Sequence, residues 1–132
     1  MDHFRLERIG QILVPIRDVD RAVRFYRDVL GMRFLFRFPG MAFFDCGGIR
    51  LYLAVPEDLS FGGRSTIYYR VDDVGAAVVE LESRGVTFDD PPHVVHRDAS
   101  YELWMAFFRD PDGNHLALMA EMPLADSAET AA

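Results

Sequence analysis

A single cysteine, Cys46, stands among 132 residues. Alone it can close no intramolecular disulfide, and it leaves no multi-cysteine zinc site to build. It lies beside Gly47 and Gly48 with no base next to it in sequence, so it reads as a small residue near a strand end rather than a reactive thiol. Long apolar runs are missing too. Nothing approaches the roughly 20 residues that a membrane helix needs, and the opening MDHFRLERIG lacks the apolar core of a secretory signal. A cytoplasmic protein with no membrane partner is expected. Positive charge is scarce, with 14 Lys and Arg against 21 Asp and Glu, a net −7 at pH 7. The one basic cluster, Arg17, Arg21, Arg24 and Arg27, runs along one expected helix among acidic neighbours. That is a solvated helix face, and nucleic acid is excluded as a partner.

What is present is the composition of one domain-sized globular unit: half the residues are hydrophobic and the mean hydropathy is +0.01. The clearest local pattern is MAFFRDPDGNHLALM, residues 105–119. It predicts a β-hairpin, because Pro presets φ, Gly tolerates positive φ, and Asp and Asn side chains bond their own backbone at the turn. After the turn Leu116, Leu118 and Ala120 alternate with His115, Ala117 and Met119. An earlier stretch, MAFFDCGGIRLYL (41–53), has the same form.

The rest of the chain falls into order around these two hairpins. Residues 1–8 are a loosely held lead-in. A strand over 9–16 puts Ile12, Val14 and Ile16 on one face and Gln11, Leu13 and Pro15 on the other, and Pro15 makes it an edge strand or its end. Asp18 caps a helix to about Leu30 with Gly31 as its stop, and Val19, Ala22, Val23, Tyr26 and Leu30 form its buried stripe. A strand over 33–38 precedes the first hairpin. Residues 56–65, PEDLSFGGRS, read as a linker. The programme then repeats: a strand over 66–71 with Thr66, Tyr68 and Arg70 on one face, a helix capped by Asp73 with the stripe Val74, Ala77, Val78 and Leu81, a stop at Gly85, and a strand over 86–88. A polar loop follows Pro91-Pro92, and then the second hairpin. The tail 123–132 has no apolar period and reads as disordered. The two copies are offset by 55 residues at the helix caps, 54 at the glycine stops, and 64 to 65 in the hairpins. The predicted architecture is α+β. Two tandem βαβββ modules, 9–55 and 66–122, form a curved mixed sheet, with the helices on its outer face and the second face lining a cup.

The motifs PIRDVDRAVRFYRDVLGM (15–32), YRVDDVGAAVVELESRGV (69–86) and FFRDPDGNHLAL (107–118) resemble the vicinal-oxygen-chelate superfamily. That superfamily includes glyoxalase I, bleomycin-resistance proteins, extradiol dioxygenases, fosfomycin-resistance enzymes and methylmalonyl-CoA epimerase. The resemblance spans about residues 8 to 121 and implies paired βαβββ modules, a small-molecule ligand and a homodimer. It implies no single reaction, because one fold carries many sites. In metal-dependent relatives a His or Gln seven residues before the first helix cap is a ligand, which maps to Gln11. Its second-module counterpart maps to Thr66, and the two closing-strand carboxylates map to Tyr52 and Ala117. An amide, a hydroxyl, a phenol and a methyl group do not make the donor set that divalent ions take, so no metal and no other cofactor is expected.

The expected ligand pocket is therefore Gln11, Leu13, Tyr52, Thr66, Tyr68, Arg70, Trp104, Phe108, Ala117 and Met119. Trp104 and Phe108 share a strand face that the sequence does not assign, to the cup or to the core. His93 and His96 read as surface loop residues, and His115 as a rim position. Phe36, Phe38, Phe43, Phe44 and Phe61 outnumber what so small a core holds, so some of them line a pocket or an interface. The expected function is metal-independent binding that sequesters an apolar or cationic small molecule in an aromatic cup, the acidic surface attracting a cation over distance. The alternative is a metal-dependent lyase, isomerase or dioxygenase whose displaced ligands come from His93, His96 or Glu102.

Overall fold

In the computed structural model, residues 4–56 and 65–124 are described. The chain divides into two compact units, 1–63 and 64–132. The first holds a four-stranded mixed sheet in the order β1-β4-β3-β2, built from Gln11–Pro15 (β1), Arg33–Phe38 (β2), Met41–Cys46 (β3) and Ile49–Ala54 (β4). β1 runs parallel to β4 and the other pairs are antiparallel. As Pro15 requires, β1 lies at an edge, where a missing N–H breaks no ladder.

Asp18 opens the helix: its Oδ1 accepts from the Arg21 N–H at 3.1 Å, meeting a donor that has no partner inside the helix. The first turns, Val19–Val23 (α1), are α-helical, and Arg24–Val29 widens into a π-helix. The Leu30 N–H accordingly donates to the Phe25 carbonyl at 2.9 Å, five residues back. Gly31 lies 13 residues after Asp18, whereas Gly85 lies only 12 after Asp73. The widened turn takes up the extra residue, which lets both ends of the helix keep their places on the sheet. Tyr26 of this turn and Phe44, Leu51 and Leu53 of the sheet are fully buried. Each such side chain contributes about 1.5–3 kcal/mol relative to exposure.

The second unit repeats the plan in the order β5-β8-β7-β6, with Ile67–Arg70 (β5), Val74–Ser83 (α2), Phe88–Arg97 (β6), Tyr101–Arg109 (β7) and His115–Pro123 (β8). Asp73 Oδ1 accepts from the Ala76 N–H at 3.0 Å. Val74, Val78 and Leu81 face inward with Ala106, Phe108, Leu116, Leu118 and Ala120, all buried. The hairpin turn is tied by Asp110. Its Oδ1 accepts from the Asp112 and Asn114 N–H groups at 2.9 and 2.8 Å, and its Oδ2 from the Asn114 amide at 2.8 Å. Gly113 supplies the positive φ, 85°.

Two expectations are corrected. The loop after Pro91-Pro92 is the middle of β6. Prolines are tolerated there because β6 is the outer strand and its pairing shifts register between Phe88 and Asp90 and again between Asp90 and His93. Pro123 closes β8 rather than opening the tail, and the Leu124 N–H donates to the Ser100 carbonyl at 3.1 Å. Residues 125–132, most of the expected linker (57–64, with Phe61) and residues 1–3 of the lead-in lie outside the described residues.

Candidate functional site

Each sheet has a helix-covered face and a far face, and register assigns every strand residue to one of them. On the first far face lie Gln11 and Leu13 of β1, Arg50 and Tyr52 of β4, Met41, Phe43 and Asp45 of β3, and Arg33, Phe36 and Phe38 of β2. The aromatic residues form a ladder across three adjacent strands. The Tyr52 and Phe43 rings stack at 4.9 Å with 5° between planes, and Phe36 follows Phe43 at 4.8 Å. These spacings match the roughly 4.8 Å between strands, so each ring stands upright over its own strand. Phe38 abuts Phe36 at 5.5 Å. Despite the stacking, Phe36 and Phe38 remain 43% and 55% exposed. An aromatic surface of this kind packs well against a flat apolar molecule.

On the second far face lie Tyr68 and Arg70 of β5, Ala117 and Met119 of β8, and Met105 and Phe107 of β7, with His93 on β6. Tyr68 and Phe107 flank Ala117 from the two neighbouring strands, nominally about 9.6 Å apart. Their rings lean together to 6.2 Å, edge to face, and Ala117 beneath them is fully buried. His93 stands 6.2 Å from Phe107. Thr66 is exposed and lies just before β5.

Register removes two residues from the expected pocket. Trp104 pairs with Ala120 and Phe108 with Leu116, which places both on the helix side. Phe108 is fully buried there, 5.0 Å from Phe88, and is core. Trp104 donates from Nε1 to Glu102 Oε1 at 3.3 Å. The aromatic residues that take their place on the far faces are Phe36, Phe38, Phe43 and Phe107. In the sequence pairs Phe43-Phe44 and Phe107-Phe108 one ring must face each way, and only the pairing register decides which.

The positions that the resemblance assigns to a metal do not fit one. Tyr52 is committed to the ring ladder, Ala117 has no donor and lies under two rings, and Gln11 and Thr66 bring only neutral oxygens. The displaced set does not converge either. His93 pairs with Met105 across the ladder and Glu102 with Arg97, on opposite faces. Glu102 is held by an ion pair with Arg97. His96 Nε2 lies 3.1 Å from Asp98 Oδ2, and His93 Nδ1 donates to the Pro91 carbonyl at 2.8 Å. Among the described residues no three His, Cys, Asp or Glu side chains come together as a metal site.

Other titratable groups follow their surroundings. Burial, reinforced by Asp45, pushes the Cys46 thiol up, which keeps it protonated and unreactive at neutral pH. Asp98 lies well below the usual carboxylate range, held by the Ser100 hydroxyl and N–H and then by His96.

A family model described as the Glyoxalase/Bleomycin resistance protein/Dioxygenase superfamily matches residues 8–118. The metallothiol transferase FosB of Lysinibacillus sphaericus (strain C3-41) is 27% identical over 77 residues, 58% of this chain and 52% of that protein. The match thus spans about half the length of that curated relative. Among solved structures, lactoylglutathione lyase from Agrobacterium tumefaciens aligns with a TM-score of 0.71 at 25% identity, over 88% of this chain and 95% of that one. An integron cassette protein from the mobile metagenome of V. cholerae aligns with a TM-score of 0.72 at 22% identity, over 89% and 98%. For a glyoxalase/bleomycin resistance protein/dioxygenase from Alicyclobacillus acidocaldarius the TM-score is 0.70 at 21% identity, over 86% and 91%.

Proposed function

The chain belongs to the Glyoxalase/Bleomycin resistance protein/Dioxygenase superfamily, and on that premise we propose that it is a metal-independent small-molecule-binding protein. Its ligand is an aromatic or otherwise flat apolar compound that packs on the far face of a sheet. One observation carries the reading: at the positions where metal-dependent relatives place carboxylates, Tyr52 stands in a ring ladder and Ala117 lies under Tyr68 and Phe107. Aromatic surface replaces charge at both. The alternative, a metal-dependent lyase, isomerase or dioxygenase, would need a donor set that these residues do not offer.

Calorimetric titration against a panel of planar aromatic compounds, with and without EDTA, tests the proposal. At least one compound is expected to bind with a Kd of about micromolar order, unchanged by the chelator. Absence of binding across the panel, or binding that EDTA abolishes and added zinc restores, would refute it.

A further inference from the structure

The far face of the first sheet is divided along its strands. Leu13, Tyr52, Phe43, Phe36, Phe38 and Met41 make one end apolar, whereas Arg50, Arg33, Asp45 and Gln11 make the other polar. At the junction the Arg50 guanidinium lies 6.0 Å from the Phe43 ring centroid. Asp45 sits across the ladder from both Arg33 and Arg50. Among the described residues, however, no carboxylate comes within ion-pair distance of Arg50. Two cations against one carboxylate leave this end of the face positive in a chain whose net charge is −7.

We infer that the far face of the first sheet takes a planar aromatic anion, its ring system packed on the Tyr52–Phe43–Phe36 ladder and its charge held by Arg50. The inference rests on the reading of this face as a ligand site, and it fixes the sign of the ligand's charge. Two electrostatic effects compete. The acidic surface favours a cation, but charges farther away than about 8 Å are screened at physiological salt. Arg50 acts at contact, on a surface the rings keep partly dry, and a guanidinium presents paired N–H donors that match a carboxylate or sulfonate. Contact between Arg50 and the Phe43 ring helps to orient the side chain. Gln11, across the ladder from Arg50, brings an amide donor to the same place. A position that holds a metal in relatives thereby serves the anion instead. The contact effect outweighs the distant one, and the ligand is an acid.

Two dyes with one ring skeleton test this: neutral N-phenyl-1-naphthylamine and its sulfonated congener 1-anilinonaphthalene-8-sulfonate, titrated by fluorescence. The sulfonate is expected to bind ~10-fold more tightly than the neutral dye. R50Q should erase that preference, and R50K should restore part of it. R24Q, on the distant π turn, should change neither dye. Added salt should weaken the sulfonate alone. Equal affinities for the two dyes, or a loss in R24Q as large as in R50Q, would overturn the inference while leaving the face a ligand site. If neither dye binds, the site reading fails together with the inference. A loss of both dyes in R50Q with unchanged far-UV circular dichroism would show that Arg50 shapes the face rather than reading charge, and would also overturn it.

Discussion

Ala117 decides more about this protein than any charged side chain. A methyl group lies where the resemblance places a carboxylate, and the Tyr68 and Phe107 rings meet over it at 6.2 Å. Restoring the carboxylate should not restore the site. A117E forces a longer, charged side chain into a fully buried position and should cost about 2–4 kcal/mol of stability, from overpacking and from an unpaired buried charge. Urea denaturation of the two proteins measures this. A neutral effect, or a gain of stoichiometric zinc by the variant, would contradict it. Much at this scale was legible in the sequence. The resemblance, applied through spacing from the helix caps and the DPDGN turn, pointed to Gln11, Thr66, Tyr52 and Ala117. The partners of these residues were not legible. Adjacent phenylalanines carry no parity of their own, and a slip of one residue exchanges Phe107 for Phe108 and so pocket for core. Arg50 escaped notice because its significance lies across the ladder, beside Gln11 and the Phe43 ring, and not along the chain.

Among the elements, caps, stops and hairpin turns were readable because each rests on local chemistry: an Asp before a helix, a Gly at positive φ, an Asp110 that ties its own turn. The π turn was foreshadowed by the change of offset from 55 to 54 between the two copies, but arithmetic alone cannot say how a helix stores an extra residue. β6 was obscured by Pro91-Pro92, which read as loop until the strand's position at the sheet edge is known. The β6–β7 turn carries a pH dependence with a definite sign. Asp98 accepts from Ser100 Oγ and N at 2.7 and 2.8 Å and from the Tyr101 N–H at 3.2 Å, and its carboxyl is held below its ordinary value of 3.8. A depressed carboxyl contributes stability that is complete above the ordinary value and is lost as the pH falls below it. D98N should therefore lower Tm at neutral pH and reduce the fall in Tm between about pH 5 and pH 2. Scanning calorimetry across that range checks this, and parallel curves for the two proteins would contradict it.

At the scale of the molecule, a βαβββ unit is used twice, and each use leaves one sheet face without a helix. Among the described residues no helix is long and apolar enough to cross a membrane. The same plan recurs in both units, down to the paired helix caps, and of the four positions that the resemblance assigns to a metal, Tyr52 stacks on Phe43 and Ala117 lies under Tyr68 and Phe107. Fold and site carry different information here. The fold was readable because it repeats, and a repeat can be checked by subtraction. The ligand is not read from net charge, which describes the whole surface, whereas binding depends on the few groups within contact distance. The central claim, that this member works without a metal, is tested most directly by elemental mass spectrometry of the chain purified without chelator. Zinc, nickel, iron and manganese should together amount to well under one ion per chain, and binding of N-phenyl-1-naphthylamine should not change when any of them is added. One tightly held ion per chain, with dye binding lost on its removal, would contradict the account.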